Sequence, residues 1–122
     1  MYFSKKYFNK TLITIKNPDS PYFIINSFDN IIIMNNFKKY YIPVIIFSNK
    51  DPIMYDDNIK INFFNIDLIL FGCDSQSQNK FNNLLIKLCK QNIGFEITNH
   101  KSACRTFNFL LDQGKKVILI LI

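Results

Sequence analysis

The 122-residue chain contains no tryptophan, one histidine, three glycines and three cysteines. Alanine, arginine and glutamate occur once each. Each shortage excludes a class of chemistry. Cys73, Cys89 and Cys104 are odd in number and widely spaced, with no CxxC pair, so neither a disulfide framework nor a zinc site is written here. His100 has no second ligand at metal-site spacing, and no metal or cofactor is expected. Glu96 has no carboxylate neighbour at a general acid–base spacing, so pairing with Arg105 or a lysine is the expected role. The longest apolar runs, Leu68 to Cys73 and Val117 to Ile122, are strand-sized and far short of the ~18 residues of a membrane span.

What is abundant is equally distinctive. Isoleucine, asparagine, lysine and phenylalanine make up just over half of the chain, a skew that an AT-rich genome explains. Hydrophobic residues are 48% and charged residues 20%, which excludes a disordered chain. The net charge of +6 would ordinarily suggest a nucleic-acid or acidic-membrane partner. Lysine supplies nearly all of it, however, scattered along the chain, while base readout and bidentate phosphate binding lean on arginine. Nucleic acid is therefore not the expected partner. The N-terminal stretch has lysines but no apolar core or cleavage site behind them, so a cytoplasmic location is expected.

At this length a single domain, residues 1–122, is expected, with antiparallel strands in 1–65 and a strand–helix–strand–helix–strand unit in 66–122. Tyr22 to Ile25 and Ile31 to Met34 flank an Asn/Asp-rich turn, which predicts a hairpin. Ile42 to Phe47 would be a third strand, with Pro43 at its start or on an edge. Ile53 to Asn65 reads as loop with a short strand near Ile59 to Phe63. Beyond it, Ile66 to Phe71 is a run suited to a strand covered on both faces. Ser77 to Gln91 places Phe81, Leu84, Leu85, Leu88 and Cys89 on one helical stripe, closed by a left-handed Asn92. After the strand Phe95 to Thr98, Ser102 would cap a second helix whose inner face carries Ala103, Phe107, Leu110 and Leu111, and Gly114 would end it. Lys116 to Ile122 is the last strand. These elements predict an α/β fold in three layers: a β-meander, a three-stranded parallel sheet, and two helices together on the sheet's other face.

The stretch Ile93-Gly94-Phe95-Glu96-Ile97, followed by Ala103-Cys104-Arg105-Thr106-Phe107-Asn108 and Gly114-Lys115-Lys116-Val117, resembles a family of small single-domain proteins of unknown biochemical function. That family includes mitochondrial complex I assembly factor 3, the adipogenesis-associated domain proteins and many bacterial members. The likeness extends to Ile66–Gly72 and more weakly to the hairpin of Asn26 to Asn35. Where relatives carry M-D-T before the second helix, this chain reads Thr98-Asn99-His100, and a Gly-rich loop is replaced by Gly72-Cys73-Asp74. Several hairpin glycines become Asn26, Asn30 and Asn35, and asparagine is the least costly substitute at positive φ. The resemblance implies a non-enzymatic module that binds a protein partner during assembly of a membrane-associated or respiratory complex.

Individual residues have simpler and sharper readings. Gly72-Cys73-Asp74-Ser75 occupies a phosphate-cradle position but has one glycine and an acidic residue, so a plain turn is expected. Cys104, in the first turn of the second helix beside Arg105, could be an activated thiol with His100 as base; buried packing is the simpler account. Asn108 is expected to hold a structural hydrogen bond between helix and sheet, and Thr106 to bond its own helix or reach the meander. Arg105, Phe109 and Asp112 share the outward stripe, the composition of a contact patch. The alternative function is a small-molecule site or enzyme at the carboxyl ends of the parallel strands, lined by Gly72, Thr98, His100 and Cys104.

Overall fold

The computed structural model describes residues 4–8, 11–15, 20–56, 58–74 and 78–122. Ten strands and two helices follow one another along the described chain. They are β1 (Ser4–Phe8), β2 (Thr11–Ile15), β3 (Ile24–Phe28), β4 (Ile31–Met34), β5 (Lys39–Tyr41), β6 (Val44–Phe47), β7 (Ile53–Met54) and β8 (Leu68–Gly72), then α1 (Asn82–Lys90), β9 (Phe95–Thr98), α2 (His100–Asp112) and β10 (Val117–Leu121). A 3-10 turn, Gln78–Phe81, leads into α1; Ser75 and Ser77 lie outside the described residues.

The fold is α/β. Its central sheet has five strands in the order β7-β6-β10-β8-β9. Strands β10, β8 and β9 run parallel, as the two strand–helix–strand connections predict. β6 joins β10 antiparallel, so the run Ile42 to Phe47 belongs to this sheet and not to the meander. Its continuous burial shows why: a strand with four apolar residues in a row needs cover on both faces, which a meander edge does not offer. β10 lies at the centre with all five residues buried. At its start, Ser48 accepts the Val117 N–H and Asp67 the Lys116 N–H, which pins the register of three strands.

Two further sheets flank this one: the pair β1-β2 and the meander β3-β4-β5. The β3–β4 turn is Asp29-Asn30, both at positive φ, as a two-residue hairpin of the right-handed twist requires. Of the three asparagines expected to replace glycine there, Asn30 alone is left-handed; the next turn uses Phe37, at φ 65°. The third meander strand, β5, begins two residues later.

The layering differs from expectation. Alternate residues of the central strands feed two cores. Val44, Ile46, Leu70, Val117, Leu119 and Leu121 meet Ala103, Cys104 and Phe107 of α2 together with Ile24, Ile32 and Met34 of the meander. Ile45, Ile69, Phe71, Ile118 and Ile120 meet Phe81 and Leu88 on the opposite face. The helices therefore cover opposite faces, and the meander shares a face with α2. Strand order is the reason. The chain steps from β8 outward to β9, then returns past β8 to β10, and right-handed crossovers taken in opposite directions deposit their helices on opposite sides.

Asn108 fastens the meander to α2. Its side chain is 1% exposed; Oδ1 accepts the Ile24 N–H at 2.9 Å and Nδ2 donates to the Ile24 carbonyl at 2.8 Å. The amide thus satisfies both polar groups of a buried β3 residue, in the way a neighbouring strand would. Replacement Asn108→Ala leaves a buried donor and acceptor unpaired and is expected to lower stability by about 2–4 kcal/mol in urea unfolding. Amide exchange should accelerate in β3 and β4 ahead of the central sheet.

Candidate functional site

At the carboxyl ends of the parallel strands, backbone and helix fill the space. Gly72 closes β8, where a Cβ would overlap the Leu121 side chain and lie 3.1 Å from the Ala103 Cβ and 3.3 Å from the His100 Cα. Only glycine lets α2 approach this closely. The Gly72 carbonyl accepts the Ile122 N–H, and the Cys73 N–H donates to the Thr98 carbonyl. His100 Nε2 lies 2.6 Å from the main-chain oxygen of Ile122, so that nitrogen carries the proton and donates. Gly72 and Cys73 are thus buried in close-packed backbone, and Asp74 is exposed.

α2 starts earlier than expected. Asn99, at extended φ and ψ, is its N-cap, and its side chain accepts the Ser102 N–H at 2.8 Å. Ser102, expected to cap, is instead the residue being capped. This shift moves Cys104 out of the first turn, away from the helix end that would stabilise a thiolate. Cys104 is fully buried in the core shared by α2 and the meander, and burial pushes its thiol up to about 12. Cys73 is raised too, by burial first and by Asp74 second. Cys89 is exposed on α1.

The other family-motif residues divide between packing and surface. Gly94 accepts the Ile69 N–H at the entry to β9, and Gly114 takes the left-handed conformation after α2, at φ 77°. Ala103, Phe107 and Asn108 are buried; Thr106 is half-buried. Glu96 is exposed on the edge strand β9, and among the described residues it forms no ion pair with Arg105 or a lysine. Arg105 instead donates to the Ser102 hydroxyl at 3.3 Å.

The surface that the motif does build lies at the N-terminal half of α2. A depression of about 590 Å³ is lined by Phe28, Asp29 and Asn30 of the β3–β4 hairpin and by His100, Ser102 and Arg105 of the helix. Neither Gly72, Thr98 nor Cys104 lines it. One helical turn beyond Arg105, Phe109 is 58% exposed; across the depression Phe28 is 45% exposed. The Arg105–Phe109 stripe was legible from helical spacing. Phe28 was not, because only the tertiary contact of meander and α2 brings it there.

Sequence reasoning also missed a second concavity. Ile53 to Asn65, expected as loop with a short strand near Ile59 to Phe63, opens with β7 at Ile53–Met54, and among the described residues beyond it no ladder forms, because Asx turns interrupt it. Asp56 accepts the Asn58 N–H and Asn62 the Phe64 N–H. Burial nevertheless alternates, with Ile59, Ile61 and Phe63 turned toward the core. Together with α1 this segment lines a cavity of about 1110 Å³. Period-two burial without a strand was the available signal.

Thiol chemistry tests this description. In the native protein at neutral pH, Cys89 is expected to react with an aromatic disulfide reagent while Cys73 and Cys104 stay protected, and all three should react in denaturant. The raised Cys104 also has a pH signature. Its native pKa exceeds the unfolded value of 9.0, so its contribution to stability is complete below pH 9 and is lost between 9 and about 12. Over that window the wild type should lose up to ~1.4 kcal/mol per pH unit more than Cys104→Ala, measured by unfolding at stepped pH.

Comparison with known proteins agrees with the fold. The NMR structure of Xanthomonas campestris XCC1710 superposes with a TM-score of 0.63 at 19% identity, covering 88% of each chain, a likeness of fold alone. No curated protein matches the sequence. Residues 27–122, from the end of the meander's first strand through β10, match the family described as protein of unknown function (DUF498/DUF598). The matched span holds the hairpin turn, the parallel unit and the Ala103–Asn108 segment, and the chain belongs to the DUF498/DUF598 family.

Proposed function

We propose that the protein is a non-enzymatic interaction module that docks a protein partner on the surface formed by Phe28, Arg105 and Phe109. The observation that carries this reading is the exposure of two phenylalanines on either side of one arginine, on elements that the Asn108 clamp holds rigidly together. Aromatic side chains and arginine are enriched at protein interfaces and dominate their energetics. The resemblance of the Ala103–Asn108 segment to complex I assembly factor 3 supports a partner belonging to a membrane-associated or respiratory complex. No described helix is long and apolar enough to cross a membrane.

The alternative, a small-molecule site or enzyme at the carboxyl ends of the parallel strands, draws support from the depression beside His100. It would operate without the Cys104 thiol, which is buried and protonated at neutral pH. Photo-crosslinking in cells separates the two readings. A benzophenone side chain at position 109 is expected to capture one partner, and Arg105→Ala should reduce that product by about tenfold, an interface hot-spot loss of ~1.4 kcal/mol. The same probe at Ile86, exposed on α1, should not capture it. Equal capture at both positions, or none at 109, overturns the proposal.

A further inference from the structure

The cavity between residues 55–64 and α1 has a lining quite unlike that of the depression at α2. Beside Pro43, Tyr55 and Phe64, five residues, Ile59, Ile61, Phe63, Leu84 and Ile122, supply its apolar surface. All five are half-buried and packed against the core on the α1 side of the sheet, so they form one continuous hydrocarbon wall. Its charged groups stand at the exposed margin: Lys60 on the irregular segment, and Lys80 and Lys87 on the helix side. Asp56 is the one acidic side chain among the described lining residues. At about 1110 Å³ the space is as large as the cavities that take whole organic ligands, roughly 300–1,000 Å³.

The chemistry of the two parts is specific. The hydrocarbon wall takes an apolar chain, and the amides of Asn62, Asn83 and Gln91 add uncharged polar groups to the lining. Three lysines against one aspartate give the margin a positive sign. Lysine ammonium groups act as mobile point charges that attract an anionic head group, whereas a forked, bidentate contact would call for arginine. Their methylene stems extend the apolar wall up to the charge.

We infer that this cavity binds an amphiphilic anion, an unbranched acyl chain ending in a carboxylate. The chain lies against Ile59, Ile61, Phe63, Leu84 and Ile122, and the head group is held by Lys60, Lys80 and Lys87. The site lies on the opposite face of the sheet from the proposed docking surface, and it stands or falls separately.

Calorimetric titration of the full chain with saturated carboxylates, each below its micelle concentration, tests this. Binding should saturate at one site and tighten up to about fourfold per added methylene, equivalent to ~0.8 kcal/mol. An alkyltrimethylammonium ion of the same length should bind at least about tenfold more weakly. The double substitution Lys80→Glu and Lys87→Glu should weaken the carboxylate by about tenfold or more while leaving the melting temperature unchanged, since both side chains are exposed. Cosedimentation with phosphatidylglycerol vesicles is the second arm. Vesicle binding without binding of the monomeric carboxylate would assign the lysines to a membrane surface and overturn the inference. So would affinity independent of chain length, or equal binding of the ammonium analogue.

Discussion

The paired hydrogen bonds between Asn108 and Ile24 join two parts of the chain that are 84 residues apart. The meander by itself is a short three-stranded sheet with one apolar face, and α2 by itself is a thirteen-residue amphipathic helix. Neither is stable in water without burial of its apolar face. Hydrophobic contact alone would let the sheet slide along the helix, because dispersion and apolar burial are not directional. A buried amide that must meet one N–H and one carbonyl allows a single register. The surface carrying Phe28, Arg105 and Phe109 depends on that register, since its residues come from both elements.

The reversal of strand order after β9 has a second consequence. By sending α1 and α2 to opposite faces, it gives the central sheet two cores of different make-up. The core under α2 is closed by the meander and packs around Phe107, Cys104 and Met34. The core under α1 is closed by a nine-residue helix and an irregular segment, with the Phe71 ring tilted against Phe81 at 4.5 Å and edge-to-face with Phe95 at 6.1 Å. An irregular cover seals less completely than a sheet, which is why the larger cavity opens on that side.

Much of the parallel unit was legible in the sequence because its signals are local. Phe95 to Thr98 matches β9 residue for residue, and Asn92 and Gly114 end their helices at φ 57° and 77° as their residue types predict. Asn108 was identifiable as a helix–sheet tie from its flanking phenylalanines. The features that escaped depend on competition between distant segments. Ile42 to Phe47 could have paired with the meander or with β10, and the outcome turned on where a doubly covered strand finds burial. Ser102 and Asn99 are both good caps; the earlier one prevailed because its side chain reaches the Ser102 N–H. The placement of α2 opposite α1 followed from strand order, which no local pattern encodes.

The compositional bias was absorbed without loss of design. Isoleucine fills both faces of the central sheet, asparagine takes left-handed turn positions at Asn30, Asn65 and Asn92, and lysine lies on exposed faces. The buried Asn108 stands where isoleucine could not substitute, since it must both accept from and donate to Ile24. The account rests on the meander and α2 forming one layer through Asn108. Solvent exchange of the Asn108 side-chain amide protons, followed by NMR, tests this directly. Protons donated to a buried carbonyl should exchange slowly and show dipolar contacts to Ile24; rapid exchange, with contacts only to residues of α2, would contradict it.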